Sequence, residues 1–290
     1  MSKGAIIDMN FGNLGPGMGA GGAPFDVLAA DYDRIFSHSL TGLAQRLVCR
    51  ERLKAFLAGK GPLRILEINC GTGEDAYWLA SLGHEVIATD QSAAMIHVAR
   101  EKGGGGAGAE DRVAVRFIQC GFGELGKEFQ GQSFDLIFSN FAGLNCVTPG
   151  DLPGLGTQFC NLLKEDGHLA IVIFGKHCWW ETCYYLLKGD ARNAFRRWSD
   201  RGSVARLGPD AEQRVYYYST GWLVEMWRSF RLLEKRPVGL FVPPSFMEGA
   251  MQRNPRWFRW LVKLERRTRN FSAGSALADH TYMLFKKELI

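Results

Sequence analysis

Short apolar runs recur along the middle of the chain, and segments with helical periodicity separate them. Such runs are typical of strands that are buried on both faces of a parallel sheet. We predict helices over residues 74–82, 92–101 and 151–164. The five predicted strands that alternate with them are RILEIN (Arg64–Asn69), EVIAT (Glu85–Thr89), VAVRFI (Val113–Ile118), FDLIFS (Phe134–Ser139) and HLAIVIF (His168–Phe174).

The character of the chain changes after Gly175, where Trp, Tyr and Arg become frequent. A sixth strand is predicted near Leu232–Val242 and a last one over Thr281–Lys287. Alternating strands and helices predict an α/β fold with a doubly wound, mostly parallel seven-stranded sheet. The aromatic segment outside the sheet is expected to form a helical and aromatic cap.

Composition narrows the class of protein. The 290 residues are 46% hydrophobic and 22% charged, which is typical of a globular protein and excludes wholesale disorder. The seven cysteines are odd in number and scattered, so we expect reduced thiols and no structural metal site. The longest apolar run is too short to cross a bilayer, and no signal-like segment opens the chain. A cytoplasmic location, at most peripheral to a membrane, is expected.

The loop after the first predicted strand carries the strongest chemical signal. Gly71 and Gly73 allow a sharp turn that comes close to a ligand, and Asp90 ends the next strand. The spacing also fits the dinucleotide fingerprint, so an NAD(P)-dependent oxidoreductase stays open as an alternative. Acidic residues at 67, 74 and 75 disfavour a pyrophosphate and favour a cationic ligand.

These residues resemble a known family. Glu67-x-Asn69-x-Gly71-x-Gly73 followed by Asp90 looks like the first motif and second-strand acid of the class I S-adenosylmethionine-dependent methyltransferases. Three further segments look like later parts of that family. They are Phe134–Val147, Leu162–Gly175 and Tyr216–Phe230.

The resemblance implies S-adenosylmethionine as cofactor and no metal. It divides the chain into a flexible glycine-rich arm (1–24), a helical lid (25–60), a cofactor-binding Rossmann-like core (61–175), a substrate and cap region with the sixth strand (176–280) and a final core strand (281–290). The implied cofactor-binding residues are Glu67, Asn69, Cys70, Gly71, Gly73, Asp90, Gln91, Met95, Gly121, Phe122, Asn140 and Phe141.

The chain departs from the family at two informative positions. Asn69 replaces the usual first glycine of the loop, and we expect the turn to survive because asparagine tolerates positive φ. Cys120-Gly121-Phe122 stands where the family often has an acid beside the adenine. Backbone groups and the Phe122 ring are therefore expected to recognise the adenine.

The acceptor is expected to be a small molecule, methylated on oxygen, with nitrogen or carbon as alternatives. The aromatic cap suggests a large or planar acceptor. Candidate substrate residues are Tyr32, Phe36, Trp179, Trp180 and Tyr217. His177 and His280 are the candidate bases because their unperturbed pKa is about 6.5, and Glu181 is the candidate partner of His177. A non-catalytic binding or scaffold protein of the same fold is the remaining alternative.

Arg256–Asn270 predicts an amphipathic helix with tryptophans on one stripe and basic residues on a neighbouring stripe. This pattern suits a helix that lies on an anionic membrane, or a site for an anionic acceptor. An amphipathic helix packed on the sheet is the other interpretation. No RNA-binding module is recognisable, so we expect no nucleic-acid partner.

Overall fold

The computed structural model describes residues 23–104, 115–268 and 270–288. Most of the predicted arm (1–24), part of the glycine run at 103–106 and the start of VAVRFI lie outside the described residues. Arg269 and residues 289–290 do so as well.

Seven strands form the central sheet. They are β1 (Arg64–Ile68), β2 (Glu85–Asp90), β3 (Val115–Gln119), β4 (Phe134–Ser139), β5 (Leu163–Phe174), β8 (Phe230–Val238) and β9 (His280–Lys287). Their order in the sheet is β3-β2-β1-β4-β5-β9-β8. Strands β1 to β5 are parallel, and β9 is antiparallel to both of its neighbours. The predicted doubly wound, mostly parallel fold is confirmed.

Helices cover both faces of this sheet. On one face, α4 (Leu125–Glu128), α5 (Leu152–Leu162) and α8 (Thr220–Met226) bury Leu125, Phe159 and Leu223 against the strands. On the other face, α1 (Leu40–Leu57), α2 (Glu74–Ser81) and α3 (Ala93–Gly104) bury Leu53, Leu79 and Ile96. Because both faces are covered, the strands read as continuous apolar runs.

The N-terminal segment is less regular than predicted. A short 3₁₀ turn covers Pro24–Leu28 and one turn of π-helix covers Asp33–Ser37 before α1 begins at Leu40. Ser39 caps α1, since its Oγ accepts a hydrogen bond from the Gly42 backbone N–H at 3.0 Å. This capping residue separates α1 from the turns before it.

The region between β5 and β9 holds the cap. Its helices are α6 (Trp179–Leu187), α7 (Ala191–Ala194), α9 (Glu248–Arg253) and α10 (Pro255–Thr268). It also holds a two-stranded antiparallel sheet that was not predicted, β6 (Ser203–Arg206) with β7 (Glu212–Val215). Leu28 and Tyr217 share an apolar cluster with this hairpin, so the cap and the N-terminal segment pack together.

Candidate functional site

A cavity of about 250 Å³ opens where the parallel strands end. It reaches from the loop after β1 to the start of β9, with the N-terminal segment and the cap as its other walls. Ligands of such sheets bind beyond the carboxyl ends of the strands, where neighbouring loops diverge. The fold therefore brings the predicted loop, the predicted lid and the predicted cap to one place.

The loop after β1 takes the shape that its residues predict. Asn69 has a φ of 53° and Gly71 a φ of 54°, so the prediction that asparagine would tolerate this turn is confirmed. The Asn69 amide donates to the Asn140 carbonyl at 2.8 Å and accepts from Ser139 Oγ at 2.6 Å. These two bonds tie the end of β1 to the end of β4.

Gly73 was predicted to bind the cofactor, and the structure gives it a packing role. Gly73 does not line the cavity. Its φ is 80°, and a Cβ at this position would lie 2.8 Å from the Phe117 ring. Glycine is needed here because α2 packs closely on β3.

Asp90 ends β2 with its carboxylate held by the backbone. Its Oδ2 accepts from the Gly71 N–H and its Oδ1 from the Ser92 N–H, each at 2.9 Å. Burial raises the pKa of Asp90, and these two hydrogen bonds oppose the increase. The carboxylate lines the cavity in a fixed orientation.

Glu67 is buried on β1 and also lines the cavity. Among the described residues its Oε2 has no hydrogen-bond partner. Burial, and then the negative charge of Asp75, raise the pKa of Glu67 well above its usual value. A buried acid without a partner is costly, so this carboxyl is suited to a cationic ligand.

Two of the acids that the sequence assigned to this loop are already neutralised. The Asp75 carboxylate pairs with Arg46 and Arg50 and accepts from the Asn140 amide at 2.7 Å. Glu74 lies 2.9 Å from the Lys102 ammonium. Glu67 and Asp90 therefore remain as the acids that can give this end of the cavity a negative charge.

Arg46 is a site residue that sequence reasoning missed. It projects from α1 into the cavity wall, and its guanidinium lies 4.7 Å from the centre of the Phe141 ring. Burial would lower the pKa of Arg46, but Asp75 and the other acidic groups around the guanidinium together outweigh burial and raise that pKa. No local sequence pattern marks this arginine, because its partners lie on α2 and after β4.

The other predicted cofactor residues all line the same cavity. They are Cys70, Gln91, Met95, Gly121, Phe122, Asn140 and Phe141. Phe141 and Ala142 have φ values of 49° and 63°, which cost about 1 kcal/mol or more each for residues with a side chain. Such strain is often found at functional sites.

Aromatic rings enclose the cavity from the N-terminal side. Tyr32 and Phe36, both predicted to meet the substrate, line it with ring centroids 5.1 Å apart. Tyr32 lies over the loop, since its ring is the nearest group to a Cβ built on Gly71, at 3.8 Å. Asp33 accepts from Thr72 Oγ1 at 2.5 Å and so attaches this segment to the loop.

The far end of the cavity is built around His280 at the start of β9. Its ring stacks on Phe174 at 4.4 Å between centroids and meets Phe141 edge-on at 5.6 Å. Its Nδ1 lies 3.3 Å from Asp279 Oδ2. Tyr217, a predicted substrate residue, lines the same end, and its ring centroid is 6.2 Å from that of Phe174.

A closed ionic network lies behind His280. Arg197 donates to Asp279 Oδ1 at 2.7 Å and to Glu181 Oε2 at 3.0 Å. Glu181 also accepts two hydrogen bonds from Arg196, at 2.6 and 2.8 Å. Burial would raise the pKa of Asp279, but His280 and Arg197 outweigh it and hold that pKa well below its usual range.

The predicted pair of His177 and Glu181 does not form, which corrects that prediction. Burial alone would raise the pKa of Glu181, but Arg197 and Arg196 outweigh it, so the pKa is lowered and Glu181 is unsuited to act as a base. His177 precedes α6, does not line the cavity, and meets Trp198 at 5.1 Å between ring centroids. His280 is the predicted base that the cavity contains.

Trp179 and Trp180 were predicted to contact the substrate, and the structure places them elsewhere. Both lie outside the cavity wall and pack in an apolar cluster with Val242, Met251 and Phe258. Trp179 Nε1 donates to the Leu240 carbonyl. These tryptophans hold the cap together and do not meet a ligand in the cavity.

One group of side chains beside the loop has the composition of a metal site. Atoms of Asp33, His38 and Glu74 lie within 4.8 Å of one another. The Lys102 ammonium pairs with both carboxylates, so an amino group already offsets one of their two negative charges.

Comparison with known sequences agrees with these features. A family model described as a methyltransferase domain matches residues 65–167. A demethylmenaquinone methyltransferase of Clavibacter sepedonicus is 33% identical over 153 residues, which cover 52% of this chain and 57% of that protein. A tRNA 5-carboxymethoxyuridine methyltransferase of Escherichia coli is 28% identical over 155 residues, covering 53% and 57%. The chain thus spans a little over half the length of these relatives.

Solved structures share the fold at low sequence identity. The CcbJ methyltransferase from Streptomyces caelestis has a TM-score of 0.60 at 16% identity, over 92% of this chain and 99% of that one. DhpI, in a complex with SAH, has a TM-score of 0.55 at 16% identity, over 92% and 94%. Residues 65–167 therefore match a methyltransferase domain, and the described chain has the Rossmann-like fold of the S-adenosylmethionine-dependent methyltransferases.

Proposed function

We propose that this chain transfers a methyl group from S-adenosylmethionine to a hydroxyl oxygen of a small, planar acceptor. The observation that carries the proposal is one continuous cavity, which has the unsatisfied Glu67 carboxyl and the Asp90 carboxylate at one end and an imidazole among aromatic rings at the other. The first end suits a cationic adenosyl compound, and the second suits an apolar ring that bears a hydroxyl group.

The residues at the first end fit each part of the cofactor. Glu67 suits the ammonium of the methionine moiety because its buried oxygen lacks a partner among the described groups. Arg46 suits the carboxylate, and the fixed oxygens of Asp90 suit the ribose hydroxyls. The adenine would lie against Gln91, Met95, Gly121 and Phe122.

The bound cofactor would supply a methyl group on a positively charged sulfur, which an oxygen nucleophile in line with the sulfur can attack. The chain's own contribution is to align the acceptor and to exclude water. Tyr32 and Phe36 serve the second purpose because they lie over the loop. The Asp33–Thr72 hydrogen bond holds this segment in place.

The acceptor end favours an uncharged ring. Phe174, Tyr217 and His280 present ring faces and edges to the cavity. Arg196 and Arg197 also reach its wall, but both are paired with Glu181, and Arg197 with Asp279 as well. Because these charges compensate one another, we propose a neutral acceptor in preference to an anionic one.

His280 is the proposed general base. The Nδ1 atom lies 3.3 Å from Asp279 Oδ2 without forming a hydrogen bond there, and we place the nitrogen that accepts the proton at Nε2. In that role Nε2 would take the proton of the acceptor hydroxyl as the oxygen–carbon bond forms and the carbon–sulfur bond breaks, with S-adenosylhomocysteine as the leaving group. Asp279 acts through His280 as a positioning residue, since its negative charge stabilises the imidazolium.

The named relatives differ in their acceptors, one being a demethylmenaquinone and another a tRNA methyltransferase. The proposal of a small acceptor therefore depends on the cavity, which the N-terminal segment covers and aromatic rings line.

An acceptor screen tests the proposal. The protein is incubated with S-adenosylmethionine labelled in its methyl group, together with a metabolite extract or with total tRNA. We expect label in a planar hydroxyl compound, released as a stable ether. Label in tRNA alone, or in no acceptor while the cofactor binds, would contradict the proposed reaction.

A further inference from the structure

Helix α10 is held to the cap along one narrow stripe. Phe258, Leu261 and Glu265 are its buried residues. The Glu265 carboxylate accepts hydrogen bonds from four successive backbone N–H groups, those of residues 239–242, at 2.6 to 3.3 Å. A buried carboxylate with four backbone donors fixes the rotation of the helix about its axis, so its outer face is defined.

That outer face is basic. At about 100° per residue the five cations of α10 fall on the side opposite the buried stripe. They are Arg256, Arg259, Lys263, Arg266 and Arg267, and all five are exposed. Within the described residues only Arg266 has an acidic partner, Glu51 on α1 at 3.6 Å. The remaining four charges are turned to solvent without compensation.

Large apolar side chains border these cations on both sides. Trp257 and Trp260, on one side, are 41% and 54% exposed. Leu43 and Leu47 of α1 are 43% and 59% exposed. Leu43 and Leu47 precede Glu51 by eight and four residues, so these three side chains form one stripe of α1. Because Glu51 pairs with Arg266, the two leucines lie along the other side of the cations. The five cations with these four side chains are called the basic face below.

We propose that the basic face docks the protein on an anionic lipid surface. Cations that face outward attract anionic headgroups, and tryptophan prefers the boundary between headgroups and hydrocarbon. The exposed leucines favour a membrane over a nucleic acid, because an aliphatic side chain gains by entering hydrocarbon and gains little beside a phosphate backbone. No helix of the described residues is long and apolar enough to span a bilayer, so contact would be at the surface.

Docking in this way would hold the cavity beside the membrane. Helix α1 contributes leucines to the basic face, while its opposite side lines the cavity with Thr41 and Gln45. One helix, about 10 Å across, separates the two. This proposal is independent of the proposed reaction, since it depends on surface charge and not on the cavity.

Vesicle sedimentation tests the proposal with the full chain. Vesicles of phosphatidylcholine alone are compared with vesicles that also contain phosphatidylglycerol, at low and at high salt. We expect binding to the anionic vesicles only, and weaker binding as salt screens the charges. The double variant Arg259→Gln/Lys263→Gln should bind about 25-fold more weakly, since each cation near such a surface contributes about fivefold.

A matched variant controls for net charge. Lys127→Gln/Arg228→Gln removes two exposed cations near α4 and α8, on the other face of the sheet, and should bind as the unaltered protein does. Equal losses in both double variants would overturn the proposal, as would no binding to anionic vesicles. Tight binding of tRNA through Arg259 and Lys263, with no vesicle binding, would assign the face to nucleic acid and also overturn it.

Discussion

The two ends of the cavity treat their charged groups in opposite ways. At the end near β1, Glu67 is buried without a hydrogen-bond partner among the described residues, and only backbone N–H groups hold Asp90. At the end near β9, Glu181 and Asp279 are paired with arginines. The first end can still stabilise a cation, whereas the second presents rings and one imidazole. In the proposed function, this difference would orient a charged cofactor and a neutral acceptor within one cavity.

The largest expected effect comes from removing the imidazole. His280→Ala should lower the turnover number for a hydroxyl acceptor about 1000-fold, which is typical for loss of a general base. Cofactor affinity should stay unchanged, because His280 lies at the other end. Single-turnover rates and calorimetric binding of S-adenosylmethionine check the two parts.

Added imidazole provides the control for this variant. The variant leaves space where the ring stood, so free imidazole should restore part of the rate. No rescue, together with full activity of His280→Gln, would show that the ring has only a packing role.

Asp90→Ala tests the cofactor end. The variant loses the two hydrogen bonds that the ribose hydroxyls would donate to the Asp90 carboxylate. At about 1.5 kcal/mol each, this loss should weaken cofactor binding about 100-fold. Asp90→Asn keeps the size of the side chain and should lose less. Dissociation constants from calorimetry measure both, and an unchanged affinity in Asp90→Ala would separate this residue from the ribose.

Gly73→Ala tests whether the loop depends on close packing beneath it. A Cβ 2.8 Å from Phe117, added to the cost of a positive φ, should lower the free energy of unfolding by about 3 kcal/mol. Gly83→Ala is the matched control, because Gly83 also has a positive φ but a Cβ there meets no atom within 4 Å. It should lose about 1 kcal/mol. Urea unfolding measures the difference, which equal losses would refute.

Glu67→Gln has the smallest expected effect, about tenfold in cofactor affinity, and it changes the pH dependence. Burial and Asp75 raise the pKa of Glu67 in the free protein, whereas a bound ammonium favours the ionised form. Binding should therefore release a proton at pH values below the raised pKa, and affinity should increase with pH in that range.

Calorimetry in buffers of different ionisation enthalpy counts the released proton. Glu67→Gln should abolish the release and flatten the pH profile. The groups that also face this carboxyl are Asp75, Arg46, Arg50 and Asp90, and they remain in the variant. Proton release that persists in Glu67→Gln would assign it to one of them.

The sheet and the loop after β1 could be predicted because their signals are local. A buried parallel strand is a continuous apolar run, and a tight loop needs glycine or asparagine where φ is positive. The β6–β7 hairpin was missed because SVAR and EQRV are short and largely polar. The apolar cluster that packs on this hairpin includes Leu28, which is distant from it in the sequence.

The ion pairs of the site could not be predicted, because their partners are distant in the sequence. Asp75 was expected to repel a phosphate, but Arg46, 29 residues earlier, neutralises it. Glu181 was expected to assist His177, but it pairs with Arg197, which also bonds Asp279, 82 residues later. Whether a carboxylate leaves a net negative charge in the site depends on such partners, and no local spacing reveals them.

Calorimetric titration with S-adenosylmethionine and with NAD tests the central claim most directly. The end of the cavity with Glu67 and Asp90 should bind S-adenosylmethionine at one site per chain, and NAD should give no measurable heat of binding. Saturable binding of NAD without binding of S-adenosylmethionine would contradict the account, because the loop would then accept a diphosphate in place of a cation.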